Sequence, residues 1–256
     1  MQHKKRSKKV KKLDKIQKAI YNKISKHERS AIMFFESGNF EGMNYLIHYP
    51  DRYRAGKKYP VLLMLHGAGT RGITLEEYQK SASFSDISTA SGHKMIIVAP
   101  HCTDNFWYEK YETLMRFSKA VAAMPFADPT RYYLCGGSMG GYTSWQLAMS
   151  YPTLFAAMIP ICGGGMYWAA SRLINLPIWA FHGAKDTTVL PEESKKMVDA
   201  VNRKGGMAKL TVYPENAHDA WNDTYRNPEV WEWALSHKNK NSPILQDECQ
   251  GMKEFG

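Results

Sequence analysis

Cysteine is scarce in this chain: Cys102, Cys135, Cys162 and Cys249 are its four, and they form no CxxC pair and no Cys/His spacing of the kind that holds zinc. That excludes a disulfide-built or zinc-nucleated fold, and the four read as reduced and structural. None of the nine histidines belongs to an HExxH or comparable cluster, so no metal is expected. Long apolar runs are absent too. No stretch approaches the roughly 20 residues of a membrane span, and the run from Ala31 to Phe35 is too short for the apolar segment of a secretion signal. A cytoplasmic chain with no integral membrane segment is the expectation. Internal repeats and low-complexity tracts are missing as well, and 19 Gly and 12 Pro in 256 residues are too few for a collagenous or disordered chain.

What the chain has is an ordinary globular composition, 44% hydrophobic and 23% charged, with a formal net charge of +10. The position of that charge decides its meaning. Residues 1–30 hold twelve of the 34 Lys and Arg and two of the 24 acids (Asp14 and Glu28), which leaves 22 of each sign in the rest. A neutral body offers no basic field to guide a polyanion into a site, so nucleic acid is not expected as a partner. The arm itself carries Leu13, Ile16, Ile20 and Ile24 at spacings of three, four and four, one apolar stripe on a lysine-rich helix. Such a helix either packs on the body or makes weak contact with anionic surfaces. Oligomeric state has no signature in the sequence.

From residue 44 onward, short apolar runs alternate with helical stretches. NYLIHY and VLLMLH flank a turn-rich YPDRYRAGKKYP that fits a hairpin-like connection, and the runs at 95–100, 131–136, 156–162, 177–183 and 209–214 follow. Helical patterns occupy 111–124, 142–151, 191–206 and 228–238. Near-continuous apolar strands alternating with helices predict an α/β fold, a mostly parallel central sheet with helices on both faces. In such a sheet the functional site lies outside the carboxyl ends of the strands. The organisation expected is a basic arm at 1–30, one catalytic domain at 31–238, and a peripheral tail at 239–256.

The most informative stretch is RYYLCGGSMGGYTSW, in which a strand runs into G-x-S-x-G and then into a helix. A serine at so sharp a turn is strained and exposed, and small residues are needed two positions before and after it. Ser138 is the expected nucleophile. Its hydroxyl needs a base, and the base needs an acid to hold its tautomer, in chain order Ser, acid, His for this fold. Asp186 follows the 177–183 strand and His218 follows the last strand, both at the carboxyl edge. The competing acids are worse placed: Asp128 precedes the serine, Glu192 and Glu193 open a helix, and Glu215, Asp219 and Asp223 crowd the histidine's own loop. A developing oxyanion needs backbone donors. One is the N–H of Met139; the loop after VLLMLH supplies the other, Ala68 in first place and Gly69 next.

That loop also satisfies GxGxxG at Gly67, Gly69 and Gly72, with Asp86 further on. No clean helix follows, and Asp86 sits in polar SASFSDISTA instead of at a second strand's end, so a nucleotide cofactor is not expected.

Taken together, HGAGTRG, GGSMGGYTSWQLAMSYP, FAAMIPICGGG, PIWAFHGAKDTTV and AHDAW resemble the α/β-hydrolase esterases of the feruloyl-esterase and polyhydroxybutyrate-depolymerase type, some of which are labelled predicted peptidases. The resemblance covers about residues 44–238. It implies the α/β-hydrolase fold, a serine carboxylic-ester hydrolase with no cofactor, Ser138 as nucleophile, His218 as base and then acid, Asp186 as its partner, and Ala68 and Met139 as oxyanion donors. The basic arm and the missing secretion signal depart from many extracellular members. For substrate, the expectation is a small-molecule ester with a short or medium acyl or an aryl group of feruloyl type. Trp107 and Trp221, in loops after strand ends, are the expected walls of its pocket. The alternatives are a serine peptidase on the same triad, or a catalytically relic binding protein tethered by its arm.

Overall fold

The computed structural model describes residues 34–244. The basic arm and residues 245–256 of the tail, Cys249 included, lie outside them. Eight strands form one sheet: β1 (Phe34–Phe40), β2 (Met43–Tyr49), β3 (Tyr59–Leu65), β4 (Ile96–Pro100), β5 (Ala127–Gly137), β6 (Ala157–Ile161), β7 (Ile178–Gly183) and β8 (Ala208–Tyr213). Their order across the sheet is β1-β2-β4-β3-β5-β6-β7-β8, and β3 through β8 run parallel. This is the α/β-hydrolase architecture.

The apolar runs are continuous because both faces of the sheet are covered. All of β3 is buried, with Val61, Leu63 and Leu65 in one core cluster and Leu62 and Met64 in the other. The first cluster is closed by helices α3 (Tyr111–Ala122), α4 (Met139–Ser150) and α5 (Pro191–Arg203) through Leu114, Phe117, Trp145, Met197 and Val201. The second is closed by α1 (Leu75–Gln79), α2 (Ala82–Ala90), α6 (Trp221–Arg226) and α7 (Pro228–Ser236) through Tyr78, Phe84, Ile87, Tyr225 and Trp231. Helix α1 starts at a capping box in which Thr74 and Glu77 satisfy each other's backbone amides.

Two expectations are corrected. The segment between β2 and β3 is not a hairpin, because β4 inserts between them and pairs antiparallel with β2. The hairpin partner of β2 is β1, which the sequence reading did not find. Its turn is Glu41-Gly42, both at positive φ (50° and 84°), with the Gly42 amide donating to the Asn39 side chain at 3.0 Å. The tail at 239–256 was expected to be peripheral, yet its first residues dock. The Asn239 amide donates to the Thr130 carbonyl at 2.8 Å, Ser242 is buried, and Ile244 packs on the core.

Candidate active site

The turn between β5 and α4 determines where Ser138 sits. Its backbone lies at φ 54°, ψ −118°, a conformation that L-residues adopt only when the surroundings enforce it. The enforcement is visible on both sides: the Ser138 amide donates to the Ile161 carbonyl at the end of β6 (2.9 Å), and the Tyr142 amide donates to the Ser138 carbonyl (3.0 Å). The flanking glycines have direct steric reasons. A Cβ on Gly136 would stand 2.3 Å from the Gly140 carbonyl oxygen, and one on Gly140 would stand 2.1 Å from that of Leu65. Strand and helix are thus in backbone contact, and the serine is thrust out at the sheet edge.

Loops after β7 and β8 bring the other two residues to it. His218 Nε2 lies 2.8 Å from Ser138 Oγ, and Nδ1 lies 2.7 Å from Asp186 Oδ2. With Nδ1–H donating to the carboxylate, Nε2 is free to accept from the serine hydroxyl. Asp186 is only 2% exposed, and its Oδ1 accepts from the amides of Thr188 and Val189 at 2.9 Å each. Burial by itself pushes this carboxyl up, but the hydrogen bonds from His218 and from those amides outweigh it and hold the group below the usual carboxylate range. It is ionised at neutral pH and poised to stabilise a protonated imidazole.

The loop after β3 faces the serine from the other side. A Cβ on Gly67 would lie 3.3 Å from the Gly137 carbonyl oxygen and 3.5 Å from Ser138 Cβ. Ala68 opens a short 3₁₀ turn (Ala68–Thr70), and Met139 opens α4, so each is at a helix start, where amides lack intrahelical acceptors. Arg71 braces the loop, donating from Nε to the Ala68 carbonyl (2.9 Å) and from its guanidinium to the Asn105 carbonyl. His66 does the same from the strand end: Nδ1–H donates to the Gly67 carbonyl (2.8 Å) and Nε2 accepts from the Cys102 amide (2.9 Å). Sequence reasoning assigns His66, at a strand end, to satisfying loop backbone groups, as it does here, and it gives no signal for Arg71. Two of their four partners, the Asn105 carbonyl and the Cys102 amide, lie more than thirty residues away, which no local pattern announces.

Of the two expected aromatic walls, Trp221 is at the site. Its ring stands edge-on to His218 at 5.3 Å, and a Cβ on Gly137 would lie 3.4 Å from it. Trp107 is a correction. It has no exposed surface, its indole N–H donates to the His66 carbonyl at 3.0 Å, and it belongs to the core. A 3₁₀ turn at Trp107–Lys110 folds this one ring inward. Its neighbours Phe106 and Tyr108 are turned out, 42% and 69% exposed, stacked at 5.0 Å with the Arg71 guanidinium over Phe106.

Among the described residues one set of donors approaches metal-binding distances: Cys162, His182 and Asp186. Their atoms are already committed. Asp186 is held as above, His182 bonds Ser194 Oγ (2.8 Å) and the Val189 carbonyl (2.9 Å), and burial pushes the Cys162 thiol up to about 12, away from the thiolate a metal takes. The nucleotide-like glycines bracket the 3₁₀ turn Ala68–Thr70, the five-residue α1 starts only at Leu75, and Asp86 pairs with Arg226 at 3.1 Å.

Burial also pushes His66 and His48 down to about 4. In the unfolded chain such groups titrate near 6.5, so as pH falls from about 6.5 to 4 the unfolded state takes up protons that the folded state refuses, and stability is lost. Each histidine is worth on the order of 3 kcal/mol over that interval. Urea midpoints measured from pH 7 to 4.5 are expected to fall steadily. They should fall less steeply in His48→Phe, whose side chain already packs between Phe35 and Phe84.

The comparisons with known proteins agree with this fold. Residues 101–245 match the model of the Dienelactone hydrolase family. The crystal structure of a thermostable esterase superposes with a TM-score of 0.68 at 28% identity, covering 81% of this chain and 63% of that one. A ferulic acid esterase superposes at 0.60, covering 80% and 98%, but at 16% identity it speaks for the fold alone. In sequence, dipeptidyl-peptidase 5 of Porphyromonas gingivalis is 22% identical over 220 residues, 66% of this chain. The chain spans only about a third, 32%, of that relative's length. No helix among the described residues is long and apolar enough to cross a membrane.

Proposed function

Because the chain belongs to the dienelactone hydrolase family and is a hydrolase of the α/β type, we propose that it is a serine carboxylic-ester hydrolase working through an acyl-enzyme on small esters, aryl or short to medium acyl. The observation that carries this reading is the unbroken series from Ser138 Oγ through His218 to the buried Asp186, at 2.8 and 2.7 Å. In it, Nε2 of His218 takes the hydroxyl proton as Oγ attacks the ester carbonyl. The developing oxyanion accepts hydrogen bonds from the Met139 and Ala68 amides. The tetrahedral intermediate collapses, His218 returns the proton to the leaving alcohol, and a water repeats the cycle on the acyl-serine. Exposed Phe106 and Tyr108, Trp221, and the exposed pair Tyr167 and Trp168 offer apolar and aromatic surface for the acyl or aryl group.

A nitrophenyl ester series from acetate to dodecanoate, with methyl ferulate beside it, tests this. Turnover is expected to depend on Ser138 and to be best at short or medium chain length. Folded protein inactive across the whole series would sink the proposal. A peptidase reading has one specific support, the likeness to dipeptidyl-peptidases. It predicts cleavage of aminoacyl-nitroanilides at rates rivalling the esters.

A further inference from the structure

One buried titratable side chain next to the triad has no part in the chemistry above. His182, in β7, has no exposed surface. Its Nε2 faces two oxygens, the Val189 carbonyl at 2.9 Å and Asp186 Oδ2 at 3.3 Å. A carbonyl and an ionised carboxylate can only accept, so Nε2 carries the ring hydrogen and donates it, mainly to the nearer Val189. On the other side, Nδ1 stands 2.8 Å from the Oγ of Ser194, fully buried in α5, and that Oγ donates to the Gly163 carbonyl at 2.8 Å. The ring is thus anchored on α5 and the loop after β6, and it reaches from there to the loop that carries the catalytic acid.

Val189 is bonded in both directions. Its carbonyl accepts from His182, and its amide donates to Asp186 Oδ1 at 2.9 Å, beside the amide of Thr188. Packing does little to hold this turn: Thr187, Thr188 and Leu190 are exposed and Val189 is half-buried. Its polar ties therefore decide which way the carboxylate faces, and the bond from His182 joins the turn back to β7. We propose that His182 is a positioning residue for the catalytic acid: by clamping Val189 it orients the Asp186 carboxylate so that Oδ2 meets His218 Nδ1 at 2.7 Å. It acts through Asp186 and, being fully buried, meets no substrate. The kinetic half of this inference rests on the triad chemistry proposed above; the structural half, the Asp186–His218 bond, does not.

Two variants of the full chain divide the ring. His182→Asn keeps a polar group near the Nδ1 position and loses the donor at Nε2; His182→Gln extends a donor to the Nε2 position and gives up Nδ1. The first readout needs no substrate. The proton on His218 Nδ1, assigned by its absence from His218→Ala, is expected far downfield in the ¹H NMR spectrum of wild type, because it is shared with a carboxylate in a short bond. In His182→Asn it should move upfield and exchange with water at least about tenfold faster, and in His182→Gln it should stay near its wild-type position. On a nitrophenyl ester, His182→Asn should lower kcat roughly tenfold with KM unchanged, and His182→Gln should recover most of the loss. Ser194→Ala removes the ring's anchor with a smaller loss of volume; it should shift the proton in the same direction and carries the test if His182→Asn does not fold. The proposal is overturned by a wild type without the downfield proton, by an unmoved proton in folded His182→Asn or in Ser194→Ala, or by equal losses in the Asn and Gln variants. Wild type inactive on every ester would defeat the triad chemistry and leave the NMR test standing.

Discussion

Ser138→Ala is expected to lower kcat on a nitrophenyl ester by roughly 10⁴- to 10⁶-fold with little change in KM, and His218→Ala is expected to do nearly the same. The size follows from the geometry. Oγ, Nε2 and Oδ2 lie in one line of two short hydrogen bonds, so removing either end of the proton path removes the whole nucleophile, while the Met139 and Ala68 amides stay in place. Consequently the Ser138→Ala, His218→Ala double variant should be no worse than either single one. Asp186→Asn should cost roughly 10⁴-fold: an amide nitrogen facing Nδ1 favours the tautomer that points Nε2–H at the serine. Thermal unfolding of Ser138→Ala should match wild type, because the hydroxyl's one partner is His218. A fluorophosphonate should add its mass to wild type at Ser138 and to the alanine variant not at all. If Ser138→Ala retained more than about a hundredth of wild-type turnover, the proposed chemistry would be wrong.

That these three residues could be read before any coordinates reflects how the fold advertises them. Strands covered on both faces appear as apolar runs, as β3 and β6 do, and Asp186 follows such a run, β7, whereas His218 follows the half-exposed β8. The nucleophile also needs glycines for steric reasons that leave a local pattern. Other features left no such trace. Strand β1 is FFESGNF, whose polar residues and glycine obscure its alternation, and its turn relies on a glutamate at positive φ where sequence reasoning looks for Asn or Asp. That β4 inserts between β2 and β3 is a tertiary outcome with no local sign. Trp107 was misjudged because three consecutive aromatics look alike in sequence; its acceptor, the His66 carbonyl, lies 41 residues upstream. The docked start of the tail likewise depends on Thr130, more than a hundred residues earlier.

Gly140→Ala is the second large effect, and it falls on folding as much as on chemistry. The added methyl would stand 2.1 Å from the Leu65 carbonyl oxygen, 2.7 Å from that carbonyl's carbon and 2.9 Å from the His66 oxygen. All three are backbone atoms of a central strand and the loop beyond it, so no side chain can rotate to make room. Either α4 lifts off the sheet or the end of β3 moves. Overpacking of a well-filled core typically costs about 1 to 3 kcal/mol, and a clash between two backbones belongs at or above the top of that range. At about 2 to 4 °C per kcal/mol for a domain of this size, the unfolding midpoint should fall by about 6 °C or more. The same shift separates the two proposed oxyanion donors, since Met139 rides on α4 and Ala68 on the loop after β3. The folded fraction should therefore lose at least about 100-fold in kcat, the cost of one misplaced donor. Gly69→Ala is the control within the same region, because a Cβ there meets nothing within 4 Å. It should leave the melting temperature unchanged. Equal melting of Gly140→Ala and wild type would mean that helix and strand are not in the backbone contact on which the position of Ser138 depends.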